Sequence, residues 1–153
     1  MNIIEKDIVN NKIFPYVVNI SGYHAEVFEI ELSNTIWISI DDPEVKEEIN
    51  NLNLRSLPKL NINFYDLIED VITDETRFYA PKIEDAKMIV DFILQHPNKN
   101  VLVNCVAGSS RSGAVAKFCE ESLNYHWIPF SKKLSDPNFT LYQLLNLYYQ
   151  TTK

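Results

Sequence analysis

Along this chain the spacing of apolar positions switches between a period of two and a period near 3.6, and the switches mark out strands and helices in turn. Val17 to Ile20 and Val27 to Leu32 read as short strands around a turn at Gly22, and Thr35 to Ile40 reads as a more buried strand. Asp41 Asp42 Pro43 Glu44 has the makings of a helix start, with a capping aspartate, a proline at the first helical position and acids in the first turn. The helix it opens is expected to end near Asn51. Leu60 to Phe64 alternates as a strand. Over Pro81 to Gln95, the residues Ile83, Ala86, Ile89, Val90, Phe92 and Ile93 fall on one helical face, and Pro97 Asn98 Lys99 Asn100 then turns the chain. Val101 to Val103 is an apolar, β-branched run of the kind found in buried strands, and Ala114 to Leu123 carries helix formers. Behind Pro137 Asn138, the residues Phe139, Leu141, Leu144, Leu145 and Tyr148 predict a last helix that packs its apolar face on the domain.

Strands alternating with helices predict an α/β fold: a central, mostly parallel, twisted sheet flanked by helices, with ligand-binding loops at the carboxyl ends of strands. At 153 residues and 46% hydrophobic content the chain can bury a substantial core. No Gly/Ser-rich or Pro-rich linker divides it, so residues 1–153 are read as one domain. No apolar run reaches membrane-spanning length, and Met1 Asn2 Ile3 Ile4 Glu5 lacks the basic start and long apolar region of a signal peptide, so a cytoplasmic protein is expected.

A net charge of −7 speaks against bulk binding to nucleic acid or anionic membranes, which requires basic patches. Lys132 Lys133 is the only basic doublet and reads as a solvated loop. His24, His96 and His126 are scattered, are read as surface or half-buried residues, and form no metal-ligand pattern. The two cysteines, Cys105 and Cys119, fit a reducing compartment, and Cys119, on the helix Ala114 to Leu123, reads as a small core residue.

The densest chemistry lies between the strand ending near Val103 and the helix starting near Ala114. Here Cys105 and Arg111 bracket the loop Val106 Ala107 Gly108 Ser109 Ser110, and Ser112 follows. A strand-to-helix junction is a ready anion site, because the free N–H groups of the first helical turn and the positive end of its dipole face the loop. A thiol placed there is stabilised as the thiolate nucleophile. The guanidinium of Arg111 presents a planar fork that matches two phosphoryl oxygens. Gly108 supplies positive φ or close backbone approach, and the Ser112 hydroxyl can hydrogen-bond the sulfur.

The segment from Cys105 to Ser112, Cys-Val-Ala-Gly-Ser-Ser-Arg-Ser, resembles the C-x5-R signature loop of the cysteine-dependent dual-specificity and protein-tyrosine phosphatases, in particular small bacterial- or phage-like members. The likeness runs less specifically from about Thr35 to Tyr148, and includes the Pro-Asn before the last helix, where Asn138 would cap the helix or brace the loop. It implies hydrolysis of phosphomonoesters on a phosphorylated protein or peptide, phosphotyrosine and also phosphoserine or phosphothreonine, through a cysteinyl-phosphate and without metal or cofactor. It further implies Cys105 as nucleophile, Arg111 and the N–H groups of Val106, Ala107, Gly108, Ser109 and Ser110 as the phosphate cradle, Ser112 as stabiliser of the thiolate, and a monomeric enzyme. A general acid is also required. The likeness points to Asp66, at the end of the strand Leu60 to Phe64, although its separation from Cys105 is longer than the family's, which keeps Asp70 and Asp74 in play. One position departs from the pattern: the family carries His before the cysteine, and this chain has Asn104, which brings no positive charge and is expected to hydrogen-bond the loop backbone instead. The alternatives are a phosphate-binding module without turnover, a cysteine phosphatase acting on RNA 5′ ends or phosphoinositides, and a rhodanese-like sulfurtransferase.

Overall fold

A computed structural model describes residues 1–153. In chain order its elements are α1 (Ile3–Asn10), β1 (Tyr16–Ser21), α2 (Gly22–Glu26), β2 (Thr35–Asp41), β3 (Lys59–Asn63), β4 (Val71–Ile72), β5 (Arg77–Phe78), α3 (Ile83–Leu94), β6 (Asn100–Cys105), α4 (Arg111–Leu123), β7 (His126–Trp127), α5 (Pro129–Lys133) and α6 (Phe139–Thr151). Five strands make one sheet in the order β3-β2-β6-β1-β7, and every neighbouring pair is parallel. The chain is a single α/β domain, and the expected mostly parallel sheet is wholly parallel.

Strand β6 lies at the centre and is buried at every position from Asn100 to Cys105. The two-residue period of the strands divides the core into two halves. Val101, Val103 and Cys105 point to the face covered by α3, α4 and α6, together with Ile36, Ile38, Ile40, Ala86, Ile89, Phe118, Leu141 and Leu145. Leu102 points to the opposite face with Trp37, Val18 and Ile20, which α1, α2 and the segment around Leu54 close off. This parity decides where the residues beside the loop end up.

Two expected elements are absent. Val27–Leu32 is not a strand: the chain makes the short helix α2, capped by Ser21, whose Oγ accepts from the His24 N–H, and then runs on without regular structure. Side chains instead of a neighbouring strand hold this turn of the chain: Asn51 Nδ2 donates to the carbonyls of Ala25 and Phe28, and Asn53 Nδ2 also reaches Phe28. The helix expected over residues 42–51 is likewise missing. Asp42 and Pro43 form a single turn closed by Val45 N–H on the Asp42 carbonyl, and the Asp42 carboxylate is drawn elsewhere. Helix α1 was not expected; Asn2 caps it by accepting from Glu5 N–H, and it seats Ile8 against the sheet.

His24 is another correction. It is buried, not surface or half-buried, and its Nε2 lies 3.0 Å from the buried Glu5 carboxylate, tying α2 to α1. Lys132 and Lys133 sit in the last turn of α5 and are exposed, with Lys132 paired to Glu120. Cys119 is fully buried on α4, where desolvation raises its thiol pKa far above the ordinary value. No helix is long and apolar enough to cross a membrane.

Candidate active site

Strand β6 ends at Cys105 and α4 begins at Arg111, so the five residues between them must turn the chain through the carboxyl edge of the sheet. Gly108 makes this turn possible. Its φ is +74°, and a Cβ there would stand 2.3 Å from Ser21 N and 2.5 Å from the Ile20 carbonyl carbon, so no other residue fits against the end of β1. Four of the five loop carbonyls are taken by neighbouring groups. The Val106 carbonyl accepts from Gly22 N–H, that of Gly108 from Asn19 Nδ2 at 3.0 Å, that of Ser109 from Asp136 N–H, and that of Ser110 from Asn138 N–H. None of the N–H groups from Val106 to Ser110 donates to a backbone carbonyl. They are therefore left as a set of free donors at a helix N-terminus.

Asn19 braces this arrangement from behind. Besides the Gly108 carbonyl it donates to Ser135 Oγ at 2.6 Å, and its own carbonyl oxygen accepts from Trp127 Nε1 at 2.8 Å. Both polar atoms of this 1% exposed side chain are bonded, and together they tie the loop at Gly108 to Ser135 and Trp127.

Cys105 lies in the mouth of the loop with its sulfur 3.1 Å from Ser112 Oγ, while Ser112 N–H donates to the same sulfur at 3.4 Å. Arg111 turns back over the loop. Its Nη1 donates to the Phe64 carbonyl at 2.6 Å and to Asp42 Oδ1 at 2.8 Å, and its Nε–H is buried with no protein partner. Cys105, Arg111, Asp42 and Asp66 line one cavity of about 430 Å³, with Val106, Ala107 and Ser110 on the loop side. No group of three or more His, Cys, Asp or Glu side chains converges as a metal-binding set.

The three aspartates considered as acids are placed quite differently. Asp66 lines the cavity, and its Oδ1 accepts from Ser110 Oγ at 2.8 Å and from Asn138 Nδ2 at 2.9 Å. Asn138 thus caps α6, accepting from Leu141 N–H, and also braces the segment after β3, since its amide reaches the Leu67 carbonyl too. Asp70 is committed to structure: it accepts from Ala80 N–H and pairs with Lys82 Nζ at 2.7 Å, and these two bonds hold its pKa below the usual carboxylate range. Asp74 is exposed in the turn between β4 and β5 and does not line the cavity.

Asn104 does not hydrogen-bond the loop backbone as expected. By the alternation of β6 its side chain points to the face opposite Cys105, where Oδ1 accepts from Trp37 Nε1 at 2.7 Å and Nδ2 donates to Ser39 Oγ at 3.1 Å. Three further features of the site were not anticipated. Asp42 carries the sequence marks of a helix cap, Asn19 lies inside an apolar strand, and the antiparallel hairpin β4–β5 supplies Val71 and Phe78 to the cavity wall. The hairpin lies in the long stretch between Asp66 and Cys105, and the length of that stretch is the one sequence signal that points to it.

No family model matches the chain, and no curated protein matches it in sequence. Solved structures match it in fold. Human DUSP28 superposes with a TM-score of 0.53 at 10% identity, covering 89% of this chain and 92% of that one. A human tyrosine phosphatase-like serine/threonine/tyrosine-interacting protein has a TM-score of 0.48 at 20% identity, covering 78% and 79% of the two chains. Tk-PTP in its active form has a TM-score of 0.47 at 16% identity, covering 89% and 92%. The fold is that of the dual-specificity phosphatases.

Proposed function

We propose that the protein is a cysteine-dependent phosphatase that hydrolyses phosphomonoesters on protein or peptide side chains. The observation that carries this reading is the buried, unpartnered Nε–H of Arg111 in the same cavity as the Cys105 sulfur. A buried donor on a cation is costly unless an anion meets it. Val106, Ala107 and Ser110, whose N–H groups make no backbone bond, line the same cavity, while Gly108 and Ser109 line a smaller pocket behind the loop; with Arg111 those free donors suit the equatorial oxygens of a phosphoryl group.

In the proposed reaction the Cys105 thiolate attacks phosphorus in line. The S–P bond forms as the ester P–O bond breaks, and Asp66, protonated at the start, gives its proton to the leaving oxygen. The Asp66 carboxylate then takes a proton from water as that water attacks the cysteinyl-phosphate, releasing phosphate and the thiolate, which Ser112 stabilises. Arg111 and the loop N–H groups hold the three non-bridging oxygens through both steps, and Ser110 and Asn138 set the position of Asp66.

The test is turnover of p-nitrophenyl phosphate by the wild type, Cys105→Ser and Arg111→Lys. Multiple turnovers in the wild type, none in Cys105→Ser, and a loss of about 10³-fold in Arg111→Lys are expected, because lysine cannot replace the fork. Binding of phosphate without turnover would identify a recognition module instead.

A further inference from the structure

The cavity has one wall that the phosphate chemistry does not use. It is made by Tyr65, which follows β3, and by Val71 and Phe78 from the β4–β5 hairpin. These side chains line the same cavity as Cys105 and Arg111, so the group esterified to a phosphate held there has this apolar surface available to it.

The wall is held in place rather than draped over the opening. The Tyr65 and Phe78 rings meet edge to face, with centroids 4.9 Å apart and planes at 90°. The Tyr65 hydroxyl donates to the Glu44 carboxylate, so its ring is fixed at both ends. The hairpin closes through Thr73 N–H on the Thr76 carbonyl at 2.8 Å, and Asp70 anchors its base to Ala80 N–H and Lys82 at the start of α3.

The charges lining the cavity are equally selective. Arg111 is the only cation in the lining, which also carries two carboxylates: Asp42, paired with Arg111, and Asp66. One phosphoryl group satisfies the guanidinium. A second phosphate, as on an inositol phosphate or along an RNA 5′ end, would meet carboxylates and no further cation.

Resting on the phosphatase reading above, we propose that the β4–β5 hairpin is a specificity wall, with Phe78, Val71 and Tyr65 selecting a flat, apolar aryl group on the phosphate. The preferred substrate class is therefore phosphotyrosine in a peptide, ahead of phosphoserine and phosphothreonine, whose short side chains would not reach the wall. Phosphoinositides and RNA ends are excluded by the lining charges.

The experiment compares one peptide sequence carrying phosphotyrosine or phosphoserine, and a phosphoinositide in mixed micelles, as substrates for the wild type, Phe78→Ala and Phe78→Leu. Expected is a preference for the phosphotyrosine peptide that Phe78→Ala erodes through a rise in KM of about tenfold, with Phe78→Leu recovering part of it, since the lost contact is apolar area. Inhibition by inorganic phosphate, which touches only the cradle, should be the same in all three proteins. Preference for the phosphoserine peptide or the phosphoinositide, or a KM for the phosphotyrosine peptide indifferent to Phe78, would overturn the inference while leaving a phosphatase. Hydrolysis of none of the three substrates would overturn the phosphatase reading itself, and this inference with it.

Discussion

Asp42 Oδ1 lies 2.8 Å from Arg111 Nη1, and the Phe64 carbonyl meets the same nitrogen at 2.6 Å. One corner of the guanidinium is thereby fastened to the ends of β2 and β3, and its Nε–H edge is kept free of protein partners. An arginine without this tether would sample rotamers that point its fork away from the loop, at an entropic cost on each binding event.

Replacing the carboxylate has two opposing effects. Asp42→Asn removes a negative charge from the phosphate site, which favours the anion, but it weakens a charge-assisted bond that sets the orientation of the fork. Asp42 is partly exposed, so the charge effect is screened and the orientation effect should win. We expect kcat/KM for an aryl phosphate to fall by about tenfold in Asp42→Asn. Steady-state kinetics check this, and a rise in kcat/KM would show that Asp42 restrains the site instead.

The three aspartates separate cleanly by position. Asp66→Asn should lower kcat by about 10²-fold or more on an ester with a poor leaving group, and much less on p-nitrophenyl phosphate, whose phenolate leaves without a proton. Asp74→Asn should be indistinguishable from wild type with either substrate. Asp70→Asn should act through the hairpin, raising KM more than it lowers kcat. Kinetics on the paired substrates distinguish the three outcomes.

Asn104 should be a residue of stability. It is 0% exposed, and Asn104→Ala leaves the Trp37 indole N–H and the Ser39 hydroxyl without this partner, a loss of about 2 kcal/mol. Denaturant unfolding should show that loss. The thiol reactivity of Cys105, on the other face of β6, should change little, as measured by alkylation rate. A large change in that rate with unaltered stability would mean that Asn104 does communicate with the loop.

The hairpin should loosen in acid. Lys82 and the Ala80 N–H hold the Asp70 pKa below its ordinary value of 3.8, so the stabilisation is present above the unfolded-state value and is lost as pH falls through the lower folded-state value. Hydrogen exchange at the Ala80 amide, corrected for the intrinsic pH dependence of exchange, should show protection at neutral pH that disappears only below the usual carboxylate range. In Asp70→Asn that protection should be missing at neutral pH as well.

Much of the fold was legible because the local and global signals agree. The strands β1, β2, β3 and β6 and the helices α3, α4 and α6 each carry the period their place in the sheet or its cover requires, and the loop from Cys105 to Ser112 is contiguous in sequence. What stayed hidden depends on partners distant along the chain. Asp42 has every local mark of a helix cap, yet Arg111, remote in sequence, claims its carboxylate. Val27 to Leu32 looks like a strand, but the amides of Asn51 and Asn53 take the Phe28 carbonyl that a neighbouring strand would have used. Asn104 adjoins the nucleophile in sequence, and the pleat sends it to the other side of the sheet. Asp66, Asp70 and Asp74 are alike as a string of acids, and only the turn of the hairpin tells them apart.

The most direct measurement is of the covalent state of the thiol during turnover. Wild-type protein mixed with a phosphotyrosine peptide, quenched in acid within the first turnovers and digested, should yield the peptide containing Cys105 heavier by one phosphoryl group. Phosphate released with no such adduct at any time, or an adduct on another residue, would contradict the account.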